Sequence, residues 1–248
     1  MKLYDAKGNL IQTYSSKYTG KTVSILGDSI STFAGYIPSE NAVFYTGSNC
    51  GVSTVNDTWW KKLIDSLGAT LLLNNSWSGS RVTTTGGTDA AACNRCENLG
   101  NSPDVIIAYI GINDFNNEVA LGTYNGSGDF PTSTTTFREA YAIMLKKMLA
   151  KYKTSEVWVC TLPYCERNGD LTFPEKNANS ILLDDFNDAI RELANLFGVK
   201  VLEHAKCGMN YFNMSEYMGD YSSGAGLHPN AAGHALLASN DLWQMCGM

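Results

Sequence analysis

Val23-Ser24-Ile25-Leu26-Gly27-Asp28-Ser29-Ile30-Ser31 joins a short apolar run to a Gly-Asp-Ser turn. The apolar part reads as a strand buried on both faces, because a compact run of β-prone residues needs cover on each side. Glycine then lets the chain turn sharply, which leaves the Ser29 hydroxyl at the strand's carboxyl end. In an open parallel sheet, ligands bind at that end. A serine there acts as a nucleophile when a base reaches it. Alone, the same serine reads as the cap of a helix starting at Ile30 or Ser31, so its partners elsewhere in the chain decide.

Upstream, residues 3–14 read as a small edge hairpin that turns at Lys7-Gly8-Asn9. Downstream, residues 34–57 are rich in Gly, Pro, Asn and Ser and read as a long ordered loop. A helix over 58–67 follows, with Trp59, Leu63 and Leu67 on one face, Asp57 or Thr58 as its cap and Gly68 as its stop. Residues 69–73 read as a second buried strand, and a polar loop runs on to Thr88. The third strand, 104–110, ends in Gly111-Ile112-Asn113-Asp114, and 115–135 read as loop. Phe137, Tyr141, Met144, Leu145, Met148 and Leu149 fall at helical spacing. Residues 156–162 are a fourth strand, a helix ends at Gly198, and 199–202 are a fifth strand. A last helix begins after Asn230 and runs through Leu237. This order predicts one α/β domain over 1–248, a three-layer α/β/α sandwich around a flavodoxin-like five-stranded parallel sheet. The hairpin of 1–20 stands as an extension. Polar loops after strands one, two, three and five converge on one sheet edge.

The 248 residues suffice for one sizeable core. A net charge of -6, with no Lys/Arg cluster, argues against nonspecific nucleic-acid binding. No apolar segment spans a bilayer. Met1-Lys2-Leu3-Tyr4-Asp5 lacks the apolar core of a signal peptide, which leaves a cytoplasmic chain and an exported, processed one both open. Of the seven cysteines, Cys93 and Cys96 form a Cys-x-x-Cys with no second pair, and read as two surface-loop thiols or one local disulfide rather than half a metal site.

Four stretches fall at expected strand ends: Gly27-Asp28-Ser29, Ser78-Gly79, Gly111-Ile112-Asn113-Asp114 and Leu227-His228-Pro229. Acyl transfer needs these parts: an attacking hydroxyl, a base for its proton, and donors for the oxyanion. Together, and in this order, they resemble the four blocks of the SGNH (GDSL-type) hydrolase family. The resemblance implies Ser29 as nucleophile and His228 as base. It implies an oxyanion hole from the Ser29 N–H, the Gly79 N–H and the Asn113 amide, with no cofactor or metal. His204 and His234, the other two histidines, fall at a strand end and inside the last helix. Asp28 and Asp114 read as braces for the strand-end turns.

One position departs from the family. It carries an acid three residues before the histidine, where this chain has Ala225. A backbone carbonyl, Asp220 or Glu203 could take its place, or the machinery is impaired; the missing acid predicts that Ala225→Asp raises kcat, and an unchanged kcat points to a substitute acid or carbonyl. The implied activity is a serine ester hydrolase acting through an acyl-enzyme on a small acyl ester, with O-acetyl groups on carbohydrate as the favoured class. Alternatives are a lipid or lysophospholipid esterase and a glycan-binding protein that lost catalysis. A nucleotide binder is disfavoured, because no phosphate-binding glycine motif follows a strand. Trp59 reads as core and Trp77 as lining for the site. Tyr36, Phe44 and Tyr45 read as a substrate wall or as pins for their own loop.

Overall fold

The computed structural model describes residues 2–4, 10–13, 16–165, 173–223 and 226–247. Its main sheet has five parallel strands, β3 (Thr22–Gly27), β4 (Thr70–Asn74), β5 (Val105–Tyr109), β6 (Glu156–Cys160) and β7 (Lys200–Leu202), in the order β4-β3-β5-β6-β7. The α/β fold with an all-parallel sheet is therefore as the sequence predicts. A separate antiparallel pair, β1 (Lys2–Tyr4) and β2 (Leu10–Thr13), occupies the expected hairpin; its turn Lys7-Gly8-Asn9 lies outside the described residues.

Chain direction explains the layers. From β3 the chain runs through α1 (Trp59–Leu67) to β4 on one side, then returns through α2 (Ala92–Arg95) to β5 on the other. It continues through α3 (Ile112–Asn116), α4 (Phe137–Lys151), β6 and α5 (Leu183–Phe197) to β7, and ends in α6 (Met214–Tyr217) and α7 (Ala231–Cys246). Right-handed crossovers running in opposite directions place their helices on opposite faces. Accordingly α1 packs on α7, and α4 packs on α5 and α2. The reversal at β3 opens a crevice beyond the carboxyl ends of β3 and β5, the usual binding place in such sheets. In register, Gly27 sits opposite Tyr109, so the segments after these strands emerge side by side.

Several local expectations need correction. Residues 70–74 are not buried on both faces: β4 is an edge strand, and Leu72 is 38% exposed. Strand order is non-local, so an apolar run alone does not distinguish an edge from a centre. Cys93 and Cys96 are not loop thiols; both are buried, in and just after α2, and the two form no disulfide. The last helix passes Leu237 and reaches Cys246, where Gly247 in the left-handed region stops it, and in the added length Asp241 is buried against His204 Nε2 at 2.9 Å. Helix α3 occupies the start of the expected 115–135 loop.

Candidate active site

Ser29 begins a short 3-10 turn, Ser29–Ser31, directly beyond β3. The turn is held from below by Asp28, whose Oδ1 accepts from the Ile30 N–H at 3.0 Å. Asp28 is fully buried and its other oxygen has no partner among the described residues, so burial pushes its pKa up to about 7.

His228 approaches from the other end of the chain. Gly219 N–H donates to His228 O at 2.8 Å, and Asn230 N–H donates to Tyr217 O at 2.8 Å. Residues 217–220 and 228–230 thus form a short antiparallel ladder, bridged at Met218 and Pro229. Asn230 then caps α7 through Ala232 N and Gly233 N. The ladder places Asp220 beside His228. Asp220 Oδ2 lies 2.7 Å from His228 Nδ1, and the carboxylate also accepts the backbone N–H groups of Leu227 and His228 at 3.0 and 3.1 Å. A carboxylate at Nδ1 fixes the proton there and leaves Nε2 as an acceptor. Ser29 Oγ lies 2.9 Å from Nε2, so the serine hydroxyl donates to it. Asp220 is one of the two acids weighed from the sequence. The other, Glu203, is engaged by Arg191 Nη2 at 2.9 Å and by Thr161. Ala225 lies outside the described residues.

Gly79 and Asn113 belong to the two segments that flank the Ser29 turn. Gly79 has φ +77°, the left-handed region, and open space where a Cβ would stand. Neither its N–H nor that of Ser29 is taken by an acceptor among the described residues. Asn113 Nδ2 donates to Ser80 O at 3.0 Å, which leaves its second N–H for an incoming oxygen. Two buried charges bind these segments together. Asp114 accepts from Val82 N and Thr83 N at 2.7 and 3.1 Å, and burial raises its pKa to about 6. Arg95 donates to Gly27 O at 3.2 Å and Ser80 Oγ at 2.9 Å, and also to the Asn75 carbonyl. Burial brings the Arg95 guanidinium down to about 10, so it stays charged at neutral pH. Arg95 drew no attention in the sequence reading. The available signal was a single cation inside Ala91-Ala92-Cys93-Asn94-Arg95-Cys96, an otherwise uncharged helical stretch.

The remaining candidates divide. Trp59 is fully buried and its indole N–H donates to Ser31 Oγ at 3.2 Å. Trp77 is half-buried and lines a groove of about 350 Å³ with Glu40, Asn41, Asn75, Asp89 and Asn98. Tyr45 is buried and pins its loop by donating to Pro229 O at 2.8 Å. Tyr36 is 43% exposed, and Phe44 stacks on His228. A second cavity, about 260 Å³, lies beyond β6 and is lined by Leu162, Tyr164, Phe173, Pro174 and Leu182. Among the described residues no group of three or more His, Cys, Asp or Glu side chains is placed to hold a metal, and no helix is long and apolar enough to cross a membrane.

Comparison with known proteins gives the family and the fold. A family model described as GDSL-like Lipase/Acylhydrolase matches residues 21–207. A crystal structure of a "putative GDSL-like lipase" from Bacteroides ovatus is 28% identical, aligns over 93% of this chain and 100% of its own, and gives a TM-score of 0.72. A protein of the same description from Bacteroides uniformis is 25% identical over 92% of this chain and 96% of its own, with a TM-score of 0.69. A Lactobacillus plantarum structure at 21% identity, covering 90% of this chain and 94% of its own, shares the fold with a TM-score of 0.69. No curated protein matches the sequence. With three quarters of its length inside the family match and its fold shared end to end with such proteins, the chain belongs to the GDSL-like lipase/acylhydrolase family.

Proposed function

We propose that this protein is a serine ester hydrolase that works through an acyl-enzyme at Ser29. The observation that carries the reading is the continuous line Ser29 Oγ–His228 Nε2–His228 Nδ1–Asp220 Oδ2, at 2.9 and 2.7 Å. In the first step Ser29 Oγ attacks the ester carbonyl carbon while its proton passes to Nε2. The carbonyl oxygen becomes an oxyanion that accepts hydrogen bonds from the N–H groups of Ser29 and Gly79 and from the Asn113 amide. One such donor contributes roughly 3–4 kcal/mol to the transition state. As the tetrahedral species collapses, the ester C–O bond breaks and Nε2–H gives its proton to the departing alkoxide. Water then attacks the acyl-enzyme, loses a proton to Nε2, and the acid leaves as Ser29 regains its hydrogen. Asp220 keeps the proton on Nδ1 and faces the imidazolium formed in each half-reaction.

For substrate we favour a small acyl ester, with O-acetylated carbohydrate as the class. The support is the groove at Trp77, two residues before Gly79: a half-buried indole among carboxylates, amides and Arg95 suits a sugar ring with its hydroxyls. A longer acyl chain is the second reading, favoured by the cavity beyond β6, whose lining is mainly apolar with Glu175, Asp184 and Asn187 among it. Hydrolysis of aryl esters from acetate to octanoate separates the two. The first reading expects acetate to give the highest kcat/KM, and a maximum at octanoate replaces it with the second. In the same assay Ser29→Ala is expected to abolish turnover, and a serine-reactive phosphonate to add one label at Ser29 by mass spectrometry. Wild-type turnover in Ser29→Ala overturns the whole assignment.

A further inference from the structure

The His228 imidazole is held only at its two ring nitrogens, whose bonding directions lie in the ring plane. Nδ1 is tied to Asp220 and Nε2 to Ser29, so the imidazole remains free to rock about the line joining them unless something presses on its face. Phe44 does so. The two rings stack with centroids 3.5 Å apart and planes 11° from parallel. The backbone of Phe44 is itself referred to the nucleophile. Its N–H donates to Thr32 Oγ1 at 2.9 Å, and the Thr32 hydroxyl donates to Ser29 O at 2.9 Å. Thr32 is fully buried, so water does not compete for either bond. Ser29, Thr32, Phe44 and His228 therefore form a closed circuit, in which the ring that backs the imidazole hangs from the same turn that presents the hydroxyl. Tyr45 stands edge-on to His228 and holds Pro229 O, which fixes the backbone on the histidine's other flank.

We propose that Phe44 is a positioning residue for His228, coupled to the nucleophile turn through Thr32. The proposal rests on the reading of Ser29 and His228 as nucleophile and base. The stacked face limits the imidazole to the orientation in which Nε2 meets Ser29 Oγ. It also presents the negative face of an aromatic quadrupole to the imidazolium that forms when Nε2 takes the proton. Both effects act on the chemical step and leave substrate binding alone.

The test is Phe44→Leu, which keeps an apolar side chain and removes the flat face. With an aryl acetate, kcat is expected to fall about two- to thirty-fold, the range of a cation–π contact from exposed to desolvated, while KM holds. Phe44→Tyr retains the face and restores most of the loss. An independent readout comes from proton NMR. The carbon-bound imidazole protons of His228 lie in the ring current of Phe44 and are shifted upfield. Phe44→Leu abolishes that shift, Phe44→Tyr keeps it, and Thr32→Val weakens it while lowering kcat. A KM that rises at constant kcat makes Phe44 a substrate wall and overturns the proposal. So does an unchanged imidazole shift in Phe44→Leu. If Phe44→Leu does not fold, Thr32→Val carries the same two readouts. Failure here is separable from failure of the esterase reading: an inert Ser29→Ala beside a fully active Phe44→Leu rejects only the role of Phe44, and an active Ser29→Ala rejects the nucleophile.

Discussion

At the scale of single residues, the decisive contact is the one between Asp220 and His228. The carboxylate sits eight positions before the histidine and accepts three N–H groups, two from backbone and one from Nδ1. Its replacement by Asn keeps the shape and the backbone contacts but can present an amide donor to Nδ1, which favours the tautomer with its proton on Nε2. In a well-studied triad that change lowers kcat by roughly 10⁴. Asp220→Asn is therefore expected to lose several orders of magnitude in kcat with little change in the urea midpoint. Ala225→Asp, designed to restore an acid at the family's usual position, is expected to leave kcat where it is, because Nδ1 has one hydrogen and it is already engaged. Near wild-type turnover in Asp220→Asn, or a several-fold gain in Ala225→Asp, rejects this role for Asp220.

At the scale of elements, the start of α1 shows a cap that is not local. Of the two expected caps, Thr58 holds the N-cap position but its side chain makes no capping bond, and Asp57 caps the preceding turn, accepting from Ser53 N, Thr54 N and the Thr54 hydroxyl. The first amide of α1, on Trp59, donates to Nδ1 of His234 at 3.2 Å, across from α7. That bond needs the neutral imidazole, and full burial lowers the His234 pKa to about 3. The unfolded chain takes up this proton near pH 6.5, so between about 6.5 and 3 the folded state binds fewer protons than the unfolded one. The contribution is fully present above pH 6.5 and is lost as the pH falls toward 3. Asp28 and Asp114, with raised pKa values, act in the opposite sense over an overlapping window, which makes the wild-type profile a sum. Comparison with His234→Gln isolates the histidine. The variant is expected to lose about 1 kcal/mol at pH 7, the usual worth of a cap, and on acidification toward pH 4 to close that gap and become the more stable of the two in urea titrations. A gap that widens on acidification contradicts it. The same element shows what a sequence carries. Buried runs such as 23–26 and 105–109 are read correctly because burial on both faces is written in consecutive residues. The stops at Gly68 and Gly198 are read correctly because a left-handed residue follows each helix. The edge position of β4, the cap from His234 and the burial of Arg95 depend on what packs alongside, and no local pattern encodes that. Around the candidate site the blocks holding Ser29, Gly79, Asn113 and His228 were legible. The partner of His228 was legible only as an open choice among a backbone carbonyl, Asp220, Glu203 and an impaired site, since a ladder between residues 217–220 and 228–230 sets Asp220 beside the imidazole.

At the scale of the whole molecule, Ser29 and His228 are 199 positions apart and meet only because the last loop is seated against the long loop after β3. Gly219 packs directly against Cys50. A Cβ there would stand 2.4 Å from Cys50 Cβ and 2.5 Å from the Cys50 carbonyl oxygen. Its φ lies outside the left-handed region, so the requirement is space and not backbone freedom. Gly79 is the reverse case, with φ +77° and nothing within 4 Å of a would-be Cβ. The two glycines therefore fail differently. Gly219→Ala must push the ladder away from residues 49–52 and carry Asp220 with it. We expect a loss of about 1–3 kcal/mol in stability, as for overpacked interiors, together with a clear fall in kcat. Cys50→Gly does not rescue it, because the backbone oxygen remains. Gly79→Ala meets only the cost of a left-handed non-glycine residue, roughly 1–2 kcal/mol, taken as lower stability or as a rotated N–H at the oxyanion position. Urea midpoints and kcat for Gly219→Ala, Gly219→Ala with Cys50→Gly, and Gly79→Ala test this directly. Full rescue by Cys50→Gly shows that the side chain alone set the spacing, and the acid is then held by its own ladder without the loop behind it.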